Sequence, residues 1–204
     1  MSHPLQQHYQ RLFQAHGDSA QAVQYTDTPS QFRRFQVLRE VAPELGSVVD
    51  LGCGLGHFHD HLRSTGFIGP YLGLDFVQDF IDHANAKHAG NLLTSFRRLD
   101  LLADDYPQGH DTYVVCGVFN NKLPGNVEFM RTVLEKAFTA ARRQVTFNAM
   151  SVYVDFEAPD LYYTDPREVF DFCKRHLTRK VTLRHDYLVR DDRPPFEYTM
   201  YLYK

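Results

Sequence analysis

Three glycines and three acids carry most of the chemistry legible in this chain. In Val48-Val49-Asp50-Leu51-Gly52-Cys53-Gly54-Leu55-Gly56-His57-Phe58, apolar residues run into Asp50 and glycine then takes alternate positions. Glycine lets the backbone adopt positive φ and lets a ligand come close. A helix starting just beyond would turn free N–H groups toward an anionic ligand group. Asp75 closes a second apolar run, Tyr71-Leu72-Gly73-Leu74, where a carboxylate at a strand tip can accept both hydroxyls of a ribose. Asp100 follows a third run, and Asn120 and Asn121 a fourth. A dinucleotide site of the G-x-G-x-x-G kind would need glycine at position 57, which is His57.

The elements that must position these residues follow from periodicity. Strands are expected at Val48–Leu51, Tyr71–Asp75, Ser95–Leu99, Tyr113–Val115 and Val145–Asn148, with helices between them. Asp165-Pro166-Arg167-Glu168 starts a last helix. Thr178–Val189 and Phe196–Tyr203 then alternate as two strands around the turn at Asp191–Pro195. Ahead of the glycine loop, Leu5, Tyr9, Leu12 and Phe13 mark one amphipathic helix closed by Gly17, and Thr28-Pro29-Ser30 opens another.

The D-x-G-x-G-x-G stretch, Asp75 and the terminal pair of strands together resemble the class I S-adenosylmethionine (SAM)-dependent methyltransferases, in particular the small stand-alone bacterial ones. The resemblance implies one domain over 1–204 with 1–45 as an N-terminal helical cover. It implies a three-layer α/β/α sandwich whose seven-stranded, mostly parallel sheet ends in an antiparallel hairpin. It also implies SAM as cofactor and S-adenosylhomocysteine (SAH) as product. Asp50, Gly52, Cys53, Gly54 and Gly56 would then lie along the methionine part of SAM, Asp75 at its ribose, and Phe76, Asp100 and Leu101 at its adenine. Cys116 and Gly117 would pass its sulfonium.

Catalytic candidates are His57 as a base, Asn120 as an acceptor-orienting amide, and Tyr25. Asn120 and Asn121 stand where amino methyltransferases keep an Asn-Pro-Pro-Tyr motif, but the prolines are absent, so N-methylation does not follow. Arg33 or Arg34, Tyr153 and Tyr162 are further pocket candidates, and the aromatic stretch 150–164 is expected to wall the acceptor pocket. The function implied is methyl transfer to a small-molecule acceptor. The alternatives are a SAM-binding scaffold that transfers nothing, or a protein methyltransferase.

Bulk properties bound the rest. The chain has 204 residues, 43% hydrophobic and 23% charged, enough for a sizeable core. A net charge of −3 and only short basic runs argue against nucleic acid as partner. Three cysteines without a C-x-x-C fit a reduced, cytoplasmic setting. No apolar run approaches the ~18 residues of a membrane span, and a monomer or homodimer is expected. His57 and His61 share a helix face beside Asp60 while His59 points elsewhere. No second cluster completes a tetrahedral set, so no metal is expected.

Overall fold

The computed structural model describes residues 4–204; the first three residues of the expected 1–45 cover lie outside the described residues. Its sheet contains β1 (Val48–Leu51), β2 (Tyr71–Asp75), β3 (Thr94–Arg98), β4 (Thr112–Val115), β5 (Gln144–Ser151), β6 (Tyr163–Thr164), β7 (Val181–Arg184) and β8 (Glu197–Tyr203). The order is β3-β2-β1-β4-β5-β8-β7, with β6 paired to the end of β5. β1 to β5 are parallel, β8 runs antiparallel to β5, and β7 antiparallel to β8. β1 and β4 are buried at every position, as parallel strands covered on both faces must be.

The helices are α1 (Pro4–His16), α2 (Thr28–Arg39), α3 (His57–Ser64), α4 (Gln78–Lys87), α5 (Asn126–Ala140) and α6 (Pro166–Phe172), with a 3-10 turn at Ala20–Val23. Alternate side chains of one strand go to opposite layers. Val49 and Leu51 pack with Met130, Val133 and Leu134 of α5, whereas Val48 packs with Phe35 and Leu38 of α2 and Phe58 and Leu62 of α3. Asp50 therefore shares the face of Val48, and that places its carboxylate near the tip of α3. Asp165 and Gly17 cap where the sequence announces, and Asp27, one residue ahead of the expected Thr28-Pro29-Ser30 start, is the N-cap of α2. Asp27 accepts from Ser30 N at 2.7 Å, Asp165 accepts from Arg167 N at 2.8 Å, and Gly17 at φ +60° donates back to Phe13 O.

Two features differ from the sequence reading. The strand expected over Thr178–Val189 pairs only at Val181–Arg184, so β7 and β8 are joined by a long connection, residues 185–196, instead of a short turn. Tyr187 and Val189 leave the sheet because they pack on Val37 of α2. β6 is an added two-residue strand, and its Thr164 hydroxyl reaches Met150 O and Tyr198 Oη. Among the described residues no helix is long and apolar enough to cross a membrane.

Leu134 is wholly buried between α5 and the sheet, whereas Leu92 is 99% exposed. Leu134→Ala is expected to cost about 2–5 kcal/mol in urea unfolding, and Leu92→Ala less than about 0.5 kcal/mol.

Candidate active site

β1 has β2 on one side and β4 on the other, so the chain reverses direction of travel across the sheet at this point. Crevices form beyond the strand ends at such a switch. Here the cavity measures about 1710 Å³, well above the roughly 300–1,000 Å³ of a single small-molecule pocket. It has two halves. One is framed by the glycine loop, Asp75, Phe76, Asp100 and α1; the other by Tyr25, Arg34, Phe156, Arg193, Phe196 and Glu197.

The glycine loop is held from beneath. Gly52 N and Cys53 N donate to Leu74 O, and Gly54 N donates to Asp75 Oδ2 at 2.9 Å. Gly52 sits at φ +76°, and a Cβ there would drive into Val118 Cγ2, so both backbone and space demand glycine. The first N–H groups of α3 follow immediately and have no helical acceptor.

Asp75 is 6% exposed. Its other oxygen accepts from Val77 N at 2.9 Å. Burial pushes its carboxyl up to about 6, although the Val77, Gly54 and Phe76 N–H groups pull the other way. Each oxygen keeps a lone pair for a further donor. Asp50 is 1% exposed; Oδ2 accepts from Tyr71 Oη at 2.5 Å and Oδ1 has no partner. Burial pushes its carboxyl up to about 7. Asp100 lies at the rim, where Oδ1 accepts from Leu102 N and Ala103 N and so caps its own turn. Phe76 and Leu101 line the same half.

The halves meet at Cys116–Gly117. Gly117 has φ +70°, and a Cβ there would stand 2.5 Å from Tyr25 Oη and 3.9 Å from Asn120 Nδ2. The Tyr25 hydroxyl contacts Cys116 Sγ at 3.3 Å. Asn120 Oδ1 is buried with no hydrogen-bond partner. Burial pushes the Cys116 thiol up to about 12 and the Cys53 thiol well above its usual range, so neither is a ready thiolate nucleophile.

His57 opens α3 and lines the cavity, but both ring nitrogens are engaged. Nδ1 meets Gln31 Nε2 at 3.1 Å and Nε2 meets Asp18 Oδ1 at 2.7 Å. Because the amide can only donate, Nδ1 accepts and Nε2–H donates to Asp18.

Sequence reasoning missed the polar floor of the second half. Arg34 Nε lies 2.8 and 2.9 Å from the two oxygens of Glu197, and Nη2 bonds the same carboxylate. Asn148 Nδ2 donates to Glu197 Oε2 at 2.9 Å, and Asn148 Oδ1 accepts from Gly117 N at 2.8 Å. Burial alone would lower the Arg34 guanidinium, but the adjoining Glu197 carboxylate outweighs it and drives it up. Arg34 also stacks on the Tyr25 ring at 4.9 Å. The available signal was Glu197 itself, an acid in a strand with two buried faces, which needs a buried partner.

Of the two arginines considered, Arg34 lines the cavity, while Arg33 is exposed and donates to Leu188 O. Tyr153 and Tyr162 do not line it. Tyr153 is 49% exposed and leans on His185, and Tyr162 uses its backbone N–H on Asn120 O. Val154, Asp155, Phe156, Leu161 and Tyr163 present that stretch to the cavity instead.

Glu197→Ala would leave Arg34 buried without its counter-ion, at a cost of about 3–5 kcal/mol in chemical unfolding. The double variant Arg34→Met, Glu197→Leu should recover most of that loss.

No protein-family model matches the chain. It is 33% identical over 147 residues to "Putative methyltransferase Rv1506c" of Mycobacterium tuberculosis (strain ATCC 25618 / H37Rv), an alignment spanning 69% of this chain and 86% of that protein. Magnesium protoporphyrin IX methyltransferase (ChlM) from Synechocystis PCC 6803, solved with bound SAH, superposes with a TM-score of 0.68 at 15% identity, over 97% of this chain and 93% of that one. The DhpI-SAM-HEP complex gives a TM-score of 0.67 at 19% identity, over 98% of this chain and 99% of that one. The structural matches establish the shared fold. Together with the 33% identical relative they show that the chain belongs to the class I SAM-dependent methyltransferases.

Proposed function

We propose that this enzyme binds SAM in the glycine-loop half of the cavity and methylates a small molecule held in the other half. The observation that carries the reading is a single cavity lined both by the glycine loop, Asp50 and Asp75 and by Tyr25, Arg34, Phe196 and Glu197, with Cys116 and Gly117 in the same wall. The donor set fits the cofactor. Asp75 keeps lone pairs for two vicinal hydroxyls, Asp50 Oδ1 is a buried acceptor without a donor, and the first turn of α3 offers N–H groups to a carboxylate. Phe76 and Leu101 supply apolar contacts for a flat ring, and Asp100 retains its Oδ2 for an exocyclic amine. When bound, SAM supplies an electrophilic methyl group on a sulfonium leaving group.

The chain's own part is then to position the acceptor and keep water out, which can supply ~7–11 kcal/mol of the barrier. Asn120 Oδ1 and the Tyr25 oxygen are the acceptor atoms available beside Gly117, and they suit a hydroxyl or amine on the incoming molecule. His57 enters as the residue that holds Gln31 against the cavity wall, because its accepting nitrogen is already occupied. The aromatic and apolar wall of Phe156, Phe196, Leu161 and Pro194 suits an acceptor with an apolar body. The absence of a basic track on this −3 chain favours a small molecule over a nucleic acid.

SAM and SAH binding should be measured by calorimetry at pH 7.5 for wild type and Asp75→Ala. Binding by wild type that weakens at least ~10-fold in the variant supports the reading, since two hydrogen bonds to a charged acceptor are lost. A folded wild type that binds neither removes it. The affinity of the wild type should also fall as pH drops through about 6, where Asp75 takes up its proton and loses acceptor capacity. In Asp75→Asn the part of that dependence due to Asp75 should be lost, leaving the part due to Asp50 near pH 7.

Turnover is read as SAH released against a panel of small amines and hydroxyl compounds. Asn120→Ala and Tyr25→Phe are expected to lower kcat roughly 10²-fold with SAH affinity unchanged. His57→Ala should act mainly on KM; a large loss confined to kcat would restore His57 as the base.

A further inference from the structure

Behind the glycine loop, away from the cavity, α3 and the end of α4 meet over β3. His59 and Asp60 of α3 there face His88, which caps α4. One ligand atom from each lies within 4.8 Å of the others. Asp60 Oδ1 stands 3.5 Å from His59 Nδ1 and 3.2 Å from His88 Nε2. For bonds of ~2.0–2.1 Å at tetrahedral angles, ligand atoms of a zinc-type ion stand roughly 3.3–3.4 Å apart. The two observed separations straddle that value.

A second observation points the same way. His59 is 2% exposed, and both His59 Nδ1 and His88 Nε2 are buried with no hydrogen-bond partner. Both nitrogens face the same Asp60 oxygen, Oδ1.

We propose that His59 Nδ1, Asp60 Oδ1 and His88 Nε2 bind a divalent transition metal of the zinc class, with a fourth position open to water. Two imidazoles and a carboxylate are hard-to-borderline donors that suit Zn(II) and its spectroscopic substitute Co(II) better than Mg(II) or Ca(II). The outer nitrogen of His59 has the support such ligands use: Nε2 lies 3.0 Å from Thr94 Oγ1. Arg63 Nε also points at that nitrogen, at 3.1 Å. Arg63 Nε–H can only donate, so Nε2 accepts from it in the arrangement seen; metal on Nδ1 requires His59 to switch tautomer, with Nε2–H donating to Thr94 and Arg63 Nε turning aside while its other nitrogens keep Phe67 O, Gly69 O and Thr94 Oγ1. Lys87 occupies only the other oxygen of Asp60, at 2.7 Å, where it is shared with Asp18.

Such an ion would tie the helix that begins at the glycine loop to α4 without taking part in methyl transfer. The proposal is therefore independent of the acceptor and of SAM binding. Metal binding displaces ligand protons, so affinity should fall on acidification.

The test uses the full chain, stripped with a chelator and titrated with Zn(II) by calorimetry and with Co(II) by visible absorption. The expected result is one ion per chain, the intense d–d bands of four-coordinate Co(II), and a melting temperature that rises with Zn(II). His88→Gln and Asp60→Asn, checked for folding by circular dichroism, should each weaken binding by at least ~10²-fold, since each removes one of three ligands. His16→Ala serves as a surface-histidine control and should change nothing. Failure of the wild type to bind with saturation, or binding unchanged in both folded ligand variants, overturns the proposal.

Discussion

Arg34 and Glu197 stand 163 positions apart and meet as a buried ion pair, the contact on which the architecture of the cavity around Tyr25 and Phe196 depends. A buried charge is tolerated only when it is paired and its remaining donors and acceptors are used. Both conditions are met here. Arg34 Nη1 donates to Ser30 O, and Glu197 Oε2 also accepts a hydrogen bond from Asn148 Nδ2. Through this pair the N-terminal cover is fastened to the last strand, and through Asn148 the fastening reaches the N–H of Gly117. The residue at the junction of the two half-cavities is thus oriented by groups from α2, β5 and β8.

The same logic explains why Tyr25 sits where it does. It precedes α2, and the Arg34 guanidinium lies over its ring while also approaching Phe196 at 5.9 Å. The ring is held between a fixed cation and Gly117, which leaves the hydroxyl few positions other than beside Cys116. Were Gly117 any other residue, its Cβ would occupy the place of that hydroxyl. Cover and floor of this part of the cavity are in this sense one construction.

What the sequence disclosed follows a physical divide. The sheet, the glycine loop and Asp75 were legible because each is local: an apolar run, a backbone that needs glycine, an acid at a strand tip. The helix cap at Asp165 was legible for the same reason, whereas α2 was placed from Thr28-Pro29-Ser30 without its cap, Asp27. Residues brought together by long-range packing were not. Asn148 and Glu197 read as a polar residue and an acid in two strands, and only the register that sets Asn148 beside Thr199 and Met150 beside Glu197 brings them together under α2. The first part of the connection, residues 185–189, read as a continuing strand because Tyr187 and Val189 alternate, yet their apolar partner is Val37 of α2 and not the sheet. The stretch after β5 borders the cavity, but which of its aromatics face inward depends on where β6 pairs, and that pairing turns Tyr163 in and leaves Tyr153 outside. His88 could not be joined to His59 from spacing, since the contact rests on how α4 ends against β3.

The two buried acids beside the glycine loop place a cost on the fold that a ligand can offset. Asp50 and Asp75 have carboxyls raised to about 7 and about 6, mainly by burial. A carboxyl raised on folding favours the folded state at pH values below its ordinary range near 4, and that contribution is lost as pH climbs through the folded value. Between about pH 4 and 7 the folded chain therefore gives up stability to hold two charges in a space from which water is largely excluded. Natural cores avoid such groups unless something compensates for them. Asp75 is compensated in part by backbone N–H groups, whereas Asp50 Oδ1 is compensated by nothing in the chain. A molecule bringing hydroxyl and ammonium donors into this part of the cavity would supply what the polypeptide withholds. Its binding energy would be drawn from charges the fold has already gathered and desolvated, so little further reorganisation is needed when it arrives.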